Sequence, residues 1–285
     1  MILFVLEGAK TEPRYIKTIK ELYFPNNVQS IICTYKSNIY SLYDKLKKLD
    51  IFSENNYNGK TRFDSDVDTI SVLKDILQNN GDDTLKNITQ EDVSEIYLFF
   101  DYDFQQSNDT LENNNQKLLQ MLEYFSDETK NGKLYINYPM IESLFYTKKL
   151  PDEDYYSYTV RREECINFKR MTAEMCRKYH YSSYDYLLLN GHYDKASYSD
   201  RQKNIDKIKP SWQYVINMNI LKANYISNDK QILPEKLDDI AAHKILLGQL
   251  DKYVNKSPCR VSVLNSFPVF LYEYFGLKLL QRESN

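Results

Sequence analysis

Short apolar runs alternate with amphipathic segments in the first half of the chain, and this alternation constrains the fold more than any other feature. The run at 2–6 is apolar at every position, which is typical of a strand that is buried on both faces. Three further runs of strand character follow it, at 28–35, 94–100 and 133–139. Because strands that feed helices pack as parallel neighbours, the first half is predicted to form an α/β unit with a mostly parallel sheet.

The segments between these runs carry helical patterns. Thr11 is a predicted N-cap with Pro13 in the first turn, and an apolar stripe follows at Tyr15, Ile16, Ile19 and Leu22. Further helices are predicted over the amphipathic segments 38–50, 65–80, 110–128 and 140–149.

The strand signal fades after residue 150. The segment 151–164 is predicted to be an acidic, Tyr-rich loop, and the remaining patterns are mainly helical. Pro210 and Pro268 are expected to break or kink two of these helices. The predicted division is therefore an α/β domain at 1–150 and a mainly helical region at 151–285.

Composition excludes several classes of protein. The 285-residue chain has a formal net charge of −3, so a uniformly basic nucleic-acid binder is excluded, whereas a local basic face is not. None of the four cysteines forms a CxxC pair, and scattered thiols fit a reducing cytosol. No apolar stretch approaches the ~20 residues of a membrane span, and the first residues lack the basic region of a signal peptide. We expect a soluble, cytoplasmic protein.

Carboxylates follow two of the predicted strands. Glu7 ends the first strand, and Asp101 and Asp103 end the third. Ligands of open parallel sheets bind beyond the carboxyl ends of the strands. If the first and third strands are neighbours, the three acids converge, and a hard divalent cation relieves their repulsion. Side chains alternate along a strand, so Asp101 and Asp103 are expected to point to the same side. The sequence predicts a metal site, and the alternative is a set of separate solvated loop acids.

Three stretches carry a resemblance to a known family. The stretches FVLEGAKTEPRYIKTI, IYLFFDYDF and INYPMIESLF resemble the TOPRIM domain. They are most similar to the RloB-like and OLD-type nucleases of bacterial defence systems and to the effector nuclease of the PARIS anti-phage system. The resemblance implies that Glu7 is the catalytic acid/base or a metal ligand, and that Asp101 and Asp103 bind Mg²⁺ (or Mn²⁺). It covers about residues 1–150, and the helices within about 38–92 are then an insertion.

Three more residues of these stretches are candidates for the same site. Glu12 is either a second acid of the first motif or a first-turn acid favoured by the helix dipole. Glu142 is either the acid of the family's proline-led helix or a solvated helix residue. Lys10 is either a phosphate contact or an ordinary loop lysine.

The resemblance also implies an activity and partners. We expect a toxic effector that cleaves DNA, or RNA such as tRNA. A partner ATPase of ABC type or AAA-like type is expected to hold or activate this effector. A homodimer is expected for the active form. Basic stretches interleaved with tyrosines are candidates for nucleic-acid contacts, with ordinary solvated helix faces as the alternative. These stretches are 147–149, 161–162, 168–170 and 177–178.

Two other classes of function stay open. A phosphatase of haloacid-dehalogenase type also uses DxD after a strand, but it prefers a small hydroxylated or β-branched residue where this chain has Gln105. A non-catalytic TOPRIM-like binding module would keep the fold without turnover. Isolated histidines at 180, 192 and 243 are expected to pack or lie on the surface, and Trp212 is expected in a core or interface.

Overall fold

The computed structural model describes residues 1–52, 68–106, 108–179, 187–189, 192–276 and 279. Seven strands lie within them: β1 (Ile2–Leu6), β2 (Ser30–Thr34), β3 (Glu95–Asp101), β4 (Ser126–Asp127), β5 (Gly132–Asn137), β6 (Thr159–Arg161) and β7 (Arg260–Ser262). The α-helices of the same residues are α1 (Glu12–Tyr23), α2 (Ile39–Lys48), α3 (Thr69–Asn79), α4 (Leu111–Tyr124), α5 (Phe168–Lys178), α6 (Tyr198–Asn228), α7 (Ala242–Gln249) and α8 (Ser266–Phe275).

A five-stranded sheet with the order β2-β1-β3-β5-β4 confirms the predicted α/β class. The central strand β1 pairs in parallel with β2 and with β3, so that Leu6 lies opposite Thr34 on one side and Phe99 on the other. All five residues of β1 are buried, as its continuous apolar pattern predicts. The short strand β4 pairs antiparallel to β5 and was not predicted, because two polar residues carry no strand pattern.

Packing divides the chain into two compact units that interleave along the sequence. The first unit comprises Met1–Pro13, Asn26–Asp101 and Gln106–Tyr135, and the second comprises Arg14–Pro25, Tyr102–Gln105 and Ile136–Asn285. The predicted division into an α/β domain at 1–150 and a mainly helical region at 151–285 stays a prediction.

Side-chain caps set the starts of the helices in the first unit. Asn38 accepts the Ser41 N–H at the start of α2, and Thr110 accepts the Asn113 N–H at the start of α4. These caps satisfy N–H groups that the first turn of a helix leaves unpaired. The predicted helices 38–50 and 110–128 are thereby confirmed, with shorter bounds. The predicted helix 65–80 is confirmed over Thr69–Asn79, and its residues 65–67 lie outside the described part of the chain.

The long helix α6 corrects the expectation that Pro210 breaks a helix. Its 31 residues run through Pro210 without interruption. An interior proline removes the hydrogen bond to the carbonyl four residues earlier. Pro210 and Asp206 are both exposed, so water can pair with the carbonyl that loses its partner. Ile208 and Trp212 are fully buried beside them, and this burial favours the continuous helix.

Other predictions for the second unit need correction. The segment 140–149 forms only a short 3₁₀ helix, Ile141–Phe145, and the predicted loop 151–164 contains β6. The region predicted to be mainly helical also contains the strand β7, which is followed by α8 with Pro268 at its third position, where an N–H is not needed. Strand β6 pairs antiparallel with β7, an arrangement between distant segments that no local pattern specifies.

Close packing joins α6 and α7 within the second unit. A Cβ atom at Gly248 would overlap the carbonyl oxygen of Ile226, so only glycine permits this approach of the two helices. Among the described residues, no helix combines the length and the apolar character that crossing a lipid bilayer requires.

Candidate functional site

The backbone of Glu7 is held on both sides at the carboxyl edge of the sheet. Its N–H donates to the Phe99 carbonyl at 3.1 Å, and its own carbonyl accepts the Lys36 N–H at 2.9 Å. Glu7 therefore continues the hydrogen bonding of β1 toward both neighbouring strands. The expectation that the first and third strands are neighbours is confirmed, and the side chain of Glu7 starts from a rigid element.

The carboxylate of Glu7 turns toward the end of β3. Its Oε2 atom accepts the backbone N–H of Asp101 at 2.9 Å, and both residues are half-buried. Hydrogen bonds from backbone N–H groups to carboxylates are stronger than neutral ones. Two acids that are 94 positions apart in the sequence thus meet at one edge of the first unit.

Asp103 departs from the predicted strand geometry. Strand β3 ends at Asp101, and Asp103 has a φ of 48°, in the left-handed region that aspartate tolerates better than most residues. The intervening Tyr102 is buried, and its N–H is shared between the carbonyls of Asn137 and Pro139. The argument from strand alternation therefore does not apply to Asp103, because the strand ends at Asp101, and a shared direction of the two side chains stays a prediction. Asp103 also belongs to the second unit, whereas Asp101 belongs to the first.

Glu12 and Gly8 form a contact that the sequence did not reveal. Glu12 is 6% exposed, and its Oε1 atom accepts the Gly8 N–H at 2.9 Å. A Cβ atom at Gly8 would collide with both carboxylate oxygens of Glu12. The space beside Gly8 is therefore filled by the side chain of Glu12.

The other candidate residues have ordinary surroundings. Lys10 is exposed in the loop before α1. Glu142 is 7% exposed in the second unit, and its carboxylate forms an ion pair with Lys169 at 3.1 Å. The alternative that Glu142 is a solvated residue was wrong, because its side chain is buried. His192 and His243 are exposed, and His180 lies outside the described residues.

The chemistry of the two adjacent acids fits a hard divalent cation. Mg²⁺ is usually bound by one or two carboxylates and completes its shell with water and substrate phosphates. The Glu7 carboxylate lies against the backbone of Asp101 at one sheet edge, and both residues carry a carboxylate of this kind. Within the described ranges, however, no three His, Cys, Asp or Glu side chains are arranged so that they could hold a metal ion together. The three-carboxylate site stays a prediction.

Some cations of the basic stretches pair with neighbouring acids. Lys148 pairs with Asp154, Arg161 with Glu163 and Arg170 with Glu174, at N–O distances of 3.4, 4.0 and 3.1 Å. These exposed pairs contribute little to stability. They do lower the net positive charge that these stretches offer to a phosphate backbone, and nucleic-acid contacts of these stretches stay a prediction.

Sequence reasoning missed Lys36, a cation at the same sheet edge as Glu7. It follows β2, its φ is 58°, and its ammonium group lies 3.9 Å from the carboxylate of Asp82. The only local signal is its place immediately beyond the second strand.

A second chemically notable group is a buried lysine in the second unit. Lys222 is 1% exposed, and its Nζ atom donates to the carbonyls of Tyr155 and Tyr158 at 2.8 and 2.9 Å. The same ammonium group lies 4.6 Å from the centre of the Tyr155 ring. Burial lowers the pKa of Lys222 well below its usual value, because the charged form loses its hydration.

This lysine predicts an unusual dependence of stability on pH. The folded-state pKa lies below the unfolded value of about 10.4, so between the two values the unfolded chain binds more protons. The free energy of unfolding therefore rises with pH in that window, by up to about 1.4 kcal/mol per pH unit. Between pH 7 and pH 10, the free energy of unfolding measured with urea should rise more for the wild type than for Lys222→Met.

A lysine on the same helix provides the control. Lys209→Met removes a half-exposed lysine of α6 and should leave the rise of the wild type in place. Equal rises for the wild type and Lys222→Met would contradict the prediction.

Comparisons with known proteins bring no independent assignment to this site. Searches against protein-family models, curated proteins and solved structures each returned no match to the chain. The TOPRIM resemblance therefore rests on the residues around Glu7, Asp101 and Glu142 and on the sheet edge that carries the first two.

Proposed function

We propose that this protein is a Mg²⁺-dependent (or Mn²⁺-dependent) nuclease of TOPRIM type that hydrolyses phosphodiester bonds of RNA or DNA. The observation that carries the proposal is the contact between the Glu7 carboxylate and the Asp101 N–H. It joins the two acidic motifs of the resemblance at the sheet edge where ligands of open parallel sheets bind. Toxicity during anti-phage defence, a partner ATPase, a homodimeric active form and a cytoplasmic location belong to the same proposal.

Asp101 and Asp103 would hold the cation, and Glu7 would be the base rather than a metal ligand. Bound Mg²⁺ would stabilise charge on the attacking and leaving oxygens and lower the pKa of the attacking water. Glu7 would accept the proton of that water as a general base. The N–H of Asp101 would keep the Glu7 carboxylate oriented while it does so. Because the Glu7 backbone is bonded to both neighbouring strands, the base would be presented from a rigid element.

A cleavage assay tests the proposal. Purified protein is incubated with tRNA, single-stranded RNA and plasmid DNA, in Mg²⁺ or in EDTA, alone and after co-expression with a candidate ABC-type ATPase. We expect cleavage of at least one substrate in Mg²⁺ and none in EDTA. Intact substrates under every condition would overturn the proposal.

One observation favours a non-catalytic binding module as the second candidate. The part of the chain that the structure describes contains no three-residue metal cluster. Retention of labelled RNA or DNA without cleavage, unaffected by Mg²⁺, would support this candidate. Hydrolysis of p-nitrophenyl phosphate, with nucleic acids left intact, would instead support the DxD phosphatase.

A further inference from the structure

Glu12 lies in the first turn of α1, but its environment is not that of an ordinary first-turn acid. Acids near the N-terminus of a helix are favoured by the helix dipole without leaving the solvent. Glu112, in the first turn of α4, shows this ordinary arrangement because it is exposed. Glu12 is 6% exposed, and burial of a carboxylate is costly unless it is hydrogen-bonded. The helix dipole alone does not account for this burial.

One hydrogen-bond partner of Glu12 is Gly8, the residue next to Glu7. The Oε1 atom of Glu12 accepts the Gly8 N–H at 2.9 Å, and the carboxylate occupies the space that a side chain at position 8 would need. The φ of Gly8 lies outside the left-handed region, so the backbone there does not itself require glycine. A side chain at position 8 would instead have to displace the carboxylate of Glu12 from the Gly8 N–H.

Two hydrogen bonds, linked by the peptide bond between Glu7 and Gly8, connect Glu12 to the proposed site. Glu12 holds the Gly8 amide, Gly8 directly follows Glu7, and the Glu7 carboxylate accepts the N–H of Asp101. On the far side, the Lys36 N–H donates to the carbonyl of Glu7, in the peptide group that also contains the Gly8 nitrogen. That peptide plane is thus fixed at both its oxygen and its nitrogen. A fixed plane limits the directions that the Glu7 side chain can take.

We infer that Glu12 is a positioning residue, which holds the Glu7 carboxylate against the end of β3 by fixing the Gly8 amide. The inference rests on the proposed function for its effect on turnover, and its structural part can be measured without any turnover. This role of Glu12 differs from that of a metal ligand or a proton acceptor. Positioning the Gly8 amide requires a hydrogen-bond acceptor at position 12, whereas a negative charge is not needed.

Four variants separate these roles. Glu12→Ala removes the acceptor, whereas Glu12→Gln keeps an acceptor oxygen and removes the charge. Gly8→Ala keeps Glu12 but displaces its flexible carboxylate from the Gly8 N–H, so the fold should tolerate it. Glu112→Ala removes an exposed first-turn acid of the same unit and is the matched control.

Amide hydrogen exchange at Gly8 and Asp101 measures the positioning directly. Glu12→Ala and Gly8→Ala should accelerate exchange at both amides, and Glu12→Gln and Glu112→Ala should leave both protected. Unchanged protection in Glu12→Ala would overturn the inference, whether or not the protein cleaves nucleic acid. Acceleration at Gly8 alone would also overturn it, because Glu7 would then be held independently.

Kinetics measure the effect on the proposed reaction. A misplaced base costs about 100-fold in rate, so Glu12→Ala should lose about that factor in kcat with KM little changed, and Glu12→Gln should recover most of it. A kcat of Glu12→Gln as low as that of Glu12→Ala would show that the charge is needed, and would overturn the positioning role. If the wild type cleaves nothing while the exchange pattern holds, the proposed function fails and the structural role of Glu12 stands.

Discussion

Glu7→Gln is expected to reduce phosphodiester cleavage by roughly 10²–10⁴-fold, the usual contribution of a general base. Glutamine has the same size and still offers an oxygen to the Asp101 N–H, so the local hydrogen bond should persist. The backbone bonds of Glu7 to Phe99 and Lys36 do not involve the side chain and are unaffected. The loss of activity would therefore reflect the missing negative charge and not a disturbed fold.

Initial rates of Mg²⁺-dependent cleavage, with the melting temperature as a check on folding, measure this effect. Glu112→Gln is the control, because Glu112 is an exposed acid of the same unit in the first turn of α4. It should cleave at the rate of the wild type. A Glu7→Gln protein that cleaves as fast as the Glu112→Gln protein would remove Glu7 from the site. On expression in cells, the Glu7→Gln chain should also be less toxic than the wild type.

Trp212→Ala is expected to lower the free energy of unfolding by roughly 3–5 kcal/mol, as large-to-small changes of buried aromatic residues do. Trp212 is fully buried in the interior of α6, and its indole N–H donates to the Leu187 carbonyl at 2.7 Å. Alanine would leave a cavity and an unpaired carbonyl. Both effects act in the second unit, where α6 is the longest helix of the described residues.

A second substitution separates the two effects. Trp212→Phe keeps most of the apolar volume but removes the donor, so it should cost about 1–3 kcal/mol, the range for a buried group left unpaired. Urea unfolding should be followed by far-ultraviolet circular dichroism, because Trp212 is the single tryptophan of the sequence. If Trp212→Ala lowered the free energy of unfolding by less than Trp212→Phe does, the result would contradict the assignment of Trp212 to the core.

Local patterns were sufficient for the parallel sheet. The run at Ile2–Leu6 is buried at every position, and the helix after it begins within a residue of the predicted N-cap. Strand order also brought Glu7 and Asp101 together as expected. These features are predictable because burial on both faces of a strand leaves a continuous apolar run, and parallel strands end at the same edge.

Local sequence patterns were not sufficient where long-range contacts decide the structure. Pro210 indicates a helix end when only its neighbours in sequence are considered, yet the burial of Ile208 and Trp212 favours one continuous helix. Strands β6 and β7 contribute three residues each to their pairing, too few for an alternating pattern to appear. In both cases the deciding partner is distant in sequence.

The sequence by itself determined the α/β class, the carboxyl edge of the sheet and the two acids that meet there. These features are predictable because buried strands and helices leave a pattern of apolar residues in the local sequence. Only the tertiary structure decided that Asp103 leaves the strand with a φ of 48°, and that the Glu12 carboxylate fills the space beside Gly8. It also decided that Lys222 is buried against two carbonyls. The physical reason is that a backbone dihedral beyond a strand end, and the partner of a buried charge, depend on groups that only packing brings together.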